Sequence, residues 1–321
     1  MGNFFKSFFS SQPKEESSEE KEKNNVKNFD ILKYDGVRAQ RAHKLPYAIR
    51  CFKEALNIQE DFETRSFLTA AYMASNELDL ALEELNRMHE LKPEDVNTLL
   101  TRIHVLFLLD KDVEVIPDCE TIITLDAENP TAYYMMAKAK RTTGDMLGAI
   151  ADLTKSVALK EDFESAYLLR AEILLQMRQA DEALQDAEKV IQLNPEEELA
   201  YLTRGKIHAF KSQFDEAHKD FEKVLSLNPF NEDAALLAGQ LLIAENKLDE
   251  AIAFFDEIIE NSPTIGRAYA ERGRAKNLKG DKQGAFEDLK KSIELNPEGE
   301  EAQKIEGTHS NFENMYKGGI F

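Results

Sequence analysis

Between residues 29 and 299, apolar positions recur at helical spacing, break at short polar turns, and then recur again in the same order. In the stretch 165–195, Tyr167, Ala171 and Leu174 stand at i, i+4 and i+7, one stripe of a helix. Ala183, Ala187, Val190 and Ile191 make a second stripe, and the polar run MRQAD separates the two. Pro195 follows where the second helix must stop, because proline lacks the amide that would continue it. The unit is therefore a helical hairpin.

The hairpin repeats along the chain. Pro195, Pro229, Pro263 and Pro297 each fall 34 residues after the last, and the register runs back through Glu161 and Ala127 to Pro93. One step of 33 then reaches Glu60. Ala48, Ala149, Ala183, Ala217, Ala251 and Ala285 keep the same beat. Gly36, Ala137, Ala171, Gly205, Gly239 and Gly273 form a second small column, and Tyr133, Tyr167, Tyr201 and Tyr269 an aromatic one. Large apolar residues fill a fourth: Phe52, Leu85, Leu153, Phe221, Phe255 and Leu289. Small residues let two helices approach, and a larger side chain there would overpack the contact by roughly 1–3 kcal/mol. One hairpin cannot bury its own stripes, so neighbours must stack on it.

These columns resemble the tetratricopeptide repeat family, which carries an aromatic at the fourth position and a small residue at the eighth. Ala at the twentieth, a large apolar residue at the twenty-fourth and Pro at the thirty-second complete the pattern. Residues 198–231 match with Tyr201, Gly205, Ala217, Phe221 and Pro229. Eight repeats follow: 29–62, 63–95, 96–129, 130–163, 164–197, 198–231, 232–265 and 266–299. The resemblance implies an all-α fold, a right-handed α-α superhelix of about eight hairpins. Repeat 96–129 departs most, with Ile103 and Val115 at small columns and Pro117 near the start of its second helix. An irregularity is expected at 110–118, a longer loop or a bend.

The same resemblance implies a function. In the family the first helix of each hairpin lines a concave groove that holds a peptide or protein segment. Carried over by position, the fifth column gives Tyr134, Leu168, Leu202 and Leu236, and the sixth gives Met135, Leu169 and Leu237. The ninth gives Lys138, Glu172, Lys206 and Gln240, and Phe210 stands at the thirteenth. The expected groove has an apolar floor, exposed leucines in a row, beside a wall of alternating charge; the alternative is that these leucines pack against neighbouring repeats. A subtype that clamps acidic chaperone tails needs Asn at the ninth position of its leading repeat. None stands there, although Lys138, Arg141 and Lys206 could hold a single carboxylate.

Composition narrows the partners. Sixty acidic residues against 40 basic ones give a formal charge of −20, which repels nucleic-acid backbones and anionic membrane surfaces. Cys51 and Cys119 sit on different helices, so no disulfide framework is expected, and a reducing, cytoplasmic setting fits. No apolar run is long enough to span a bilayer, and no secretory leader is apparent. No catalytic constellation, metal-ligand spacing or phosphate-cradling glycine loop is visible. The expectation is a non-enzymatic scaffold with no cofactor and no small-molecule substrate.

The ends read differently. Residues 1–28 are expected to be a disordered tail whose linker, SSQPKEESSEEKEKNNVKN, is nearly free of apolar groups. Phe4, Phe5, Phe8 and Phe9 at its tip would share one face of a short helix. They are read as a frayed terminus, as a candidate membrane or partner tag, or as a segment docking in the chain's own groove; the tag reading gives the alternative function, a membrane-associated or self-associating assembly factor. Gly2 is a weak myristoylation signal because Lys6 stands where that motif wants Ser or Thr. Residues 300–321 are expected to hold a capping helix and a tail with Phe312, Met315, Tyr316, Ile320 and Phe321.

Overall fold

The computed structural model describes residues 18–297, with side chains from residue 24 onward. Among these residues there are sixteen α-helices and no strands. They run α1 Ser18–Arg41, α2 Leu45–Ile58, α3 Phe62–Ala74, α4 Leu78–Leu91, α5 Val96–Leu108, α6 Asp112–Leu125, α7 Pro130–Thr142 and α8 Met146–Leu159. They continue with α9 Glu164–Gln176, α10 Ala180–Leu193, α11 Glu198–Phe210, α12 Phe214–Leu227, α13 Glu232–Ala244, α14 Leu248–Asn261, α15 Gly266–Lys279 and α16 Lys282–Leu295. The chain divides into two compact units, Met1–Asp145 and Met146–Phe321.

Two signals delimit each hairpin. The first is a left-handed residue in the turn between its helices: His43, Asn76, Asp110, Gly144, Arg178, Ser212, Asn246 and Gly280 all have positive φ. These positions keep the 34-residue beat, with one step of 33. The backbone closes a Schellman-type turn there, as where the Gln213 amide donates to the His208 carbonyl at 2.8 Å. The second signal is an Asx cap on many first helices. Asp61, Asp95, Asn129 and Asn231 accept from the amides of Thr64, Thr98, Ala132 and Ala234 at 2.8 to 3.0 Å. Second helices end at Asn194, Asn228, Ser262 and Asn296, each followed by the expected proline.

The small columns work as size complements. A Cβ built on Gly36 would come within 2.5 Å of the Phe52 ring, and one on Gly239 would collide with Phe255. Ile103 and Val115, which break the small pattern, are fully buried in one cluster with Cys119 and Ile122. Cys119 takes the column that Phe221 and Phe255 hold elsewhere. The bulky residue at 103 thus faces a small partner, and volume is conserved across the pair.

A buried ion-pair column completes the packing. Arg102, Arg170, Arg204 and Arg272 each donate from Nε to Asp118, Asp186, Asp220 and Asp288, at 2.7 to 2.9 Å, and from a terminal amine to the other oxygen. All four aspartates are buried. Hydrogen bonds to these carboxylates hold the Arg170, Arg204 and Arg272 guanidinium groups above their usual range, against the opposing pull of burial. Three of the arginines also reach back one hairpin, to Asn86, Thr154 and Asp256. The seventh hairpin has Ala238 and Phe254 at these two positions instead.

Two expectations are corrected. Pro117 lies inside α6, which has 14 residues like its counterparts, and the turn before it is no longer than the others, so no lengthened loop exists at 110–118. Pro117 is exposed, so the amide it lacks leaves no buried carbonyl without water. At the N-terminus, α1 begins at Ser18, within the stretch expected to be a linker to residue 28. Phe29 and Ala39 are buried, and once a helix is nucleated there, extending it backwards adds one hydrogen bond per residue. The Phe tip at 4–9, Gly2 and the capping helix and tail at 300–321 lie outside the described residues.

Candidate binding groove

The face assigned to a groove is built from the first helices, whose stripe toward the second helices is fixed by the small columns. In the second unit these helices are α9, α11, α13 and α15. The expected apolar floor is not open. Leu168, Leu202 and Leu236 are 6%, 5% and 1% exposed, and Leu169 is buried with them. Leu202 packs with Phe221, Ala238 and Leu241, and Leu236 with Ile243, Phe255 and Ala268. The next hairpin's first helix sits against Leu202 and Leu236, because stacking takes its apolar side out of water. These leucines are core.

What remains accessible is more polar. Leu237 and Phe210 are half-buried, and Leu199 and Leu278 are exposed. Glu172, Lys206, Gln240 and Arg274 follow one another at the ninth column, all half-buried. Gln240 donates from Nε2 to Glu271 at 2.6 Å, and Arg274 lies 3.8 Å from another Glu271 oxygen. Arg267 bridges to Asp233 at 3.0 Å, also between neighbouring hairpins. Lys206 has no carboxylate partner among the described residues. One turn on, Phe210 closes α11.

In the first unit, Tyr134 and Met135 are half-buried on α7. Lys138 is exposed, with its ammonium 4.2 Å from the centre of the Phe107 ring, a cation–π contact that parks the charge on α5. Lys33 on α1 is tied to Asp61 at 2.9 Å and Glu63 at 2.6 Å. Its pKa is raised: burial opposes the shift, and hydrogen bonds to the two carboxylates outweigh it. Between α3, α4 and α5 lies a shallow cavity of about 310 Å³ with Phe62, Thr69, Met73, Asn97 and Thr101 on its walls.

A second feature was missed in the sequence. In the second unit a cavity of about 550 Å³ opens at the turn joining α12 to α13, beside Phe230. Phe230 is 85% exposed. The signal was present: the corresponding turn positions are Glu94, Glu128, Asp162, Glu196 and Thr264, so an aromatic there is out of pattern. Among the described residues no group of three or more His, Cys, Asp and Glu is placed to hold a metal ion. No described helix is long and apolar enough to cross a membrane.

Comparison with known proteins places this architecture. Models of the tetratricopeptide repeat match residues 130–163, 164–197, 202–264 and 266–298, together just over half of the chain. No curated protein matches the sequence. Among solved structures, a tetratricopeptide repeat protein from Parabacteroides merdae superposes with a TM-score of 0.64 at 18% identity, covering 76% of this chain and 96% of that one. A chain of the APC/C hetero-tetramer Cut9-Hcn1 gives 0.56 at 17% identity, over 81% of this chain and 52% of that one. Pseudomonas aeruginosa pilF gives 0.53 at 18%, over 67% of this chain and 99% of that one. At these identities the likeness is one of fold.

Proposed function

The chain belongs to the tetratricopeptide repeat family, and from that premise we propose that it is a protein-interaction scaffold holding a polypeptide segment along the first-helix face of its hairpins. The observation that supports this most is Lys206. It is half-buried and has no carboxylate partner among the described residues, in a chain whose acidic residues outnumber its basic ones by 60 to 40. A partly desolvated ammonium gains from an opposite charge, and the chain leaves this one for a ligand carboxylate. Phe210 and Leu237 flank it with partly covered apolar surface. Gln240, Glu271 and Arg274, linked to one another, continue the face as a polar wall beside an extended or helical segment. Specificity then comes from charge placement on a mixed polar wall, since the leucine ladder is spent on packing.

Affinity purification of the full chain, with quantitative mass spectrometry of what co-purifies, tests the proposal. Lys206→Glu combined with Phe210→Ala should deplete the main partners at least tenfold while the circular dichroism stays unchanged. Equal recovery of every partner by the substituted chain would overturn it.

A further inference from the structure

The cavity beside Phe230 lies within the second unit, as does the point where the described chain leaves the body. Its apolar walls are Leu225, Phe230, Ala235, Phe254, Ile258 and Ile265. Two of these are aromatics that break the repeat pattern. Phe230 takes a turn position that is otherwise Glu, Asp or Thr, and Phe254 takes the column of the buried aspartates. Both substitutions fall next to one another and face one cavity, whose volume is in the range of ligand sites, ~300–1,000 Å³.

We propose that this cavity seats the chain's own C-terminal segment through Phe312, Met315 and Tyr316. Three observations select that occupant. The first is where the chain exits. A Cβ on Gly266 would stand 3.1 Å from the Ser292 carbonyl oxygen and 3.8 Å from the Asn296 Cβ, so the end of α16 rests on the start of α15. Ile265, the residue before Gly266, is a cavity wall. Pro297 therefore leaves the body beside the cavity.

The second is reach. Fifteen residues separate Pro297 from Phe312, up to ~50 Å when extended, against two helix-to-helix spacings of ~10 Å each across the cavity. The third is chemistry. Phe312, Met315 and Tyr316 stand at i, i+3 and i+4, the spacing of one face of a helical turn. Residues 307–321 hold a single acid, Glu313, and a single lysine, Lys317. In a chain of charge −20 this stretch is little repelled by the Glu232 and Glu257 carboxylates at the cavity. The other aromatic-rich segment, residues 4–9, joins the first unit through α1.

The chain has no tryptophan, so Phe230→Trp, excited beyond the tyrosine absorption band, supplies a sole tryptophan reporter at an exposed site that the fold does not need. In the full chain its emission should be blue-shifted and poorly quenched by acrylamide. Adding Phe312→Ala and Tyr316→Ala to the same chain should shift it to the red and raise quenching severalfold. A chain ending at Pro297 should behave alike, and a synthetic peptide of residues 307–321 should restore the blue shift in a saturable way. Identical emission with and without the two tail substitutions overturns the proposal. So does a blue shift that survives them and grows with protein concentration, which seats a second copy there, or one lost on deleting residues 1–9. Neither result bears on the Lys206 face of α11.

Discussion

Phe221 occupies the space that a side chain at Gly205 would need: a Cβ there would lie 2.6 Å from ring carbon Cε1. Gly205→Ala should therefore cost about 1–3 kcal/mol by overpacking, read as a lower urea midpoint. Shrinking the partner should relieve the clash. In a chain that already carries Phe221→Leu, adding Gly205→Ala should cost measurably less than it does alone. Strictly additive losses would show that the ring is not what excludes the methyl group.

Asp220 is 3% exposed and takes both donors of the Arg204 fork. Asp220→Ala leaves that guanidinium partly buried without its acceptor, at a cost of roughly 2–3 kcal/mol. The seventh hairpin shows the alternative, since Ala238 and Phe254 fill the same two positions with apolar packing. Converting the sixth hairpin to that pair, Arg204→Ala with Asp220→Phe, should destabilise less than Asp220→Ala alone. Thermal melts of the two variants decide the order.

Ser212 sits in the turn between α11 and α12 with φ of 58°, a conformation that costs a residue with a Cβ about 1–2 kcal/mol. Ser212→Gly removes that cost and adds roughly 0.5–1 kcal/mol of chain entropy to the unfolded state, so a small net gain in midpoint is expected. Gly144 has φ of 85° and nothing within 4 Å of where a Cβ would stand, so Gly144→Ala should lower stability through backbone strain alone. Equal midpoints for Gly144→Ala and the parent chain would contradict the reading of these turns.

Asp61 caps α3 and meets Lys33 on α1. Burial pushes its pKa up, but hydrogen bonds from Thr64 and Lys33 outweigh burial and hold the carboxyl below its ordinary range. A lowered folded-state value means that the stabilisation is complete above the unfolded carboxylate pKa of ~3.9 and lost as pH falls through the folded one. Thermal midpoints taken from about pH 6 to about pH 3 should fall more steeply for the parent than for Asp61→Asn. Parallel curves would rule out this carboxylate as a contributor.

The architecture could be read from the sequence because a 34-residue period is a one-dimensional signal. Pro195 and Pro229 mark helix ends, and Gly205 with Phe221 marks a close approach, before any coordinates exist. Facing was harder. Leu168, Leu202 and Leu236 occupy columns that the family leaves open, and only the stacking geometry shows that the neighbouring hairpin covers them. Arg170 and Asp186 recur at the same period and went unpaired, because a 16-residue separation crosses a turn and matches no single-helix spacing. Pro117 shows the limit of local rules: an exposed proline within α6 did not end the helix. Phe230 was legible only as an exception to its column.

The missing arginine at Ala238 has a mechanical outcome. Arg102, Arg170 and Arg272 each fasten three helices together, their own pair and the one behind, as Arg170 does through Asp186 and Thr154. Between the sixth and seventh hairpins that fastening is absent, while His218 and Glu245 meet at 2.7 Å beyond the far end of α13. The His218–Glu245 contact lies at one end of α13, and the cavity of about 550 Å³ lies at the other, beside Phe230. This joint therefore lacks the tie that Arg170 makes to Thr154, and a group filling the cavity beside Phe230 would stiffen it.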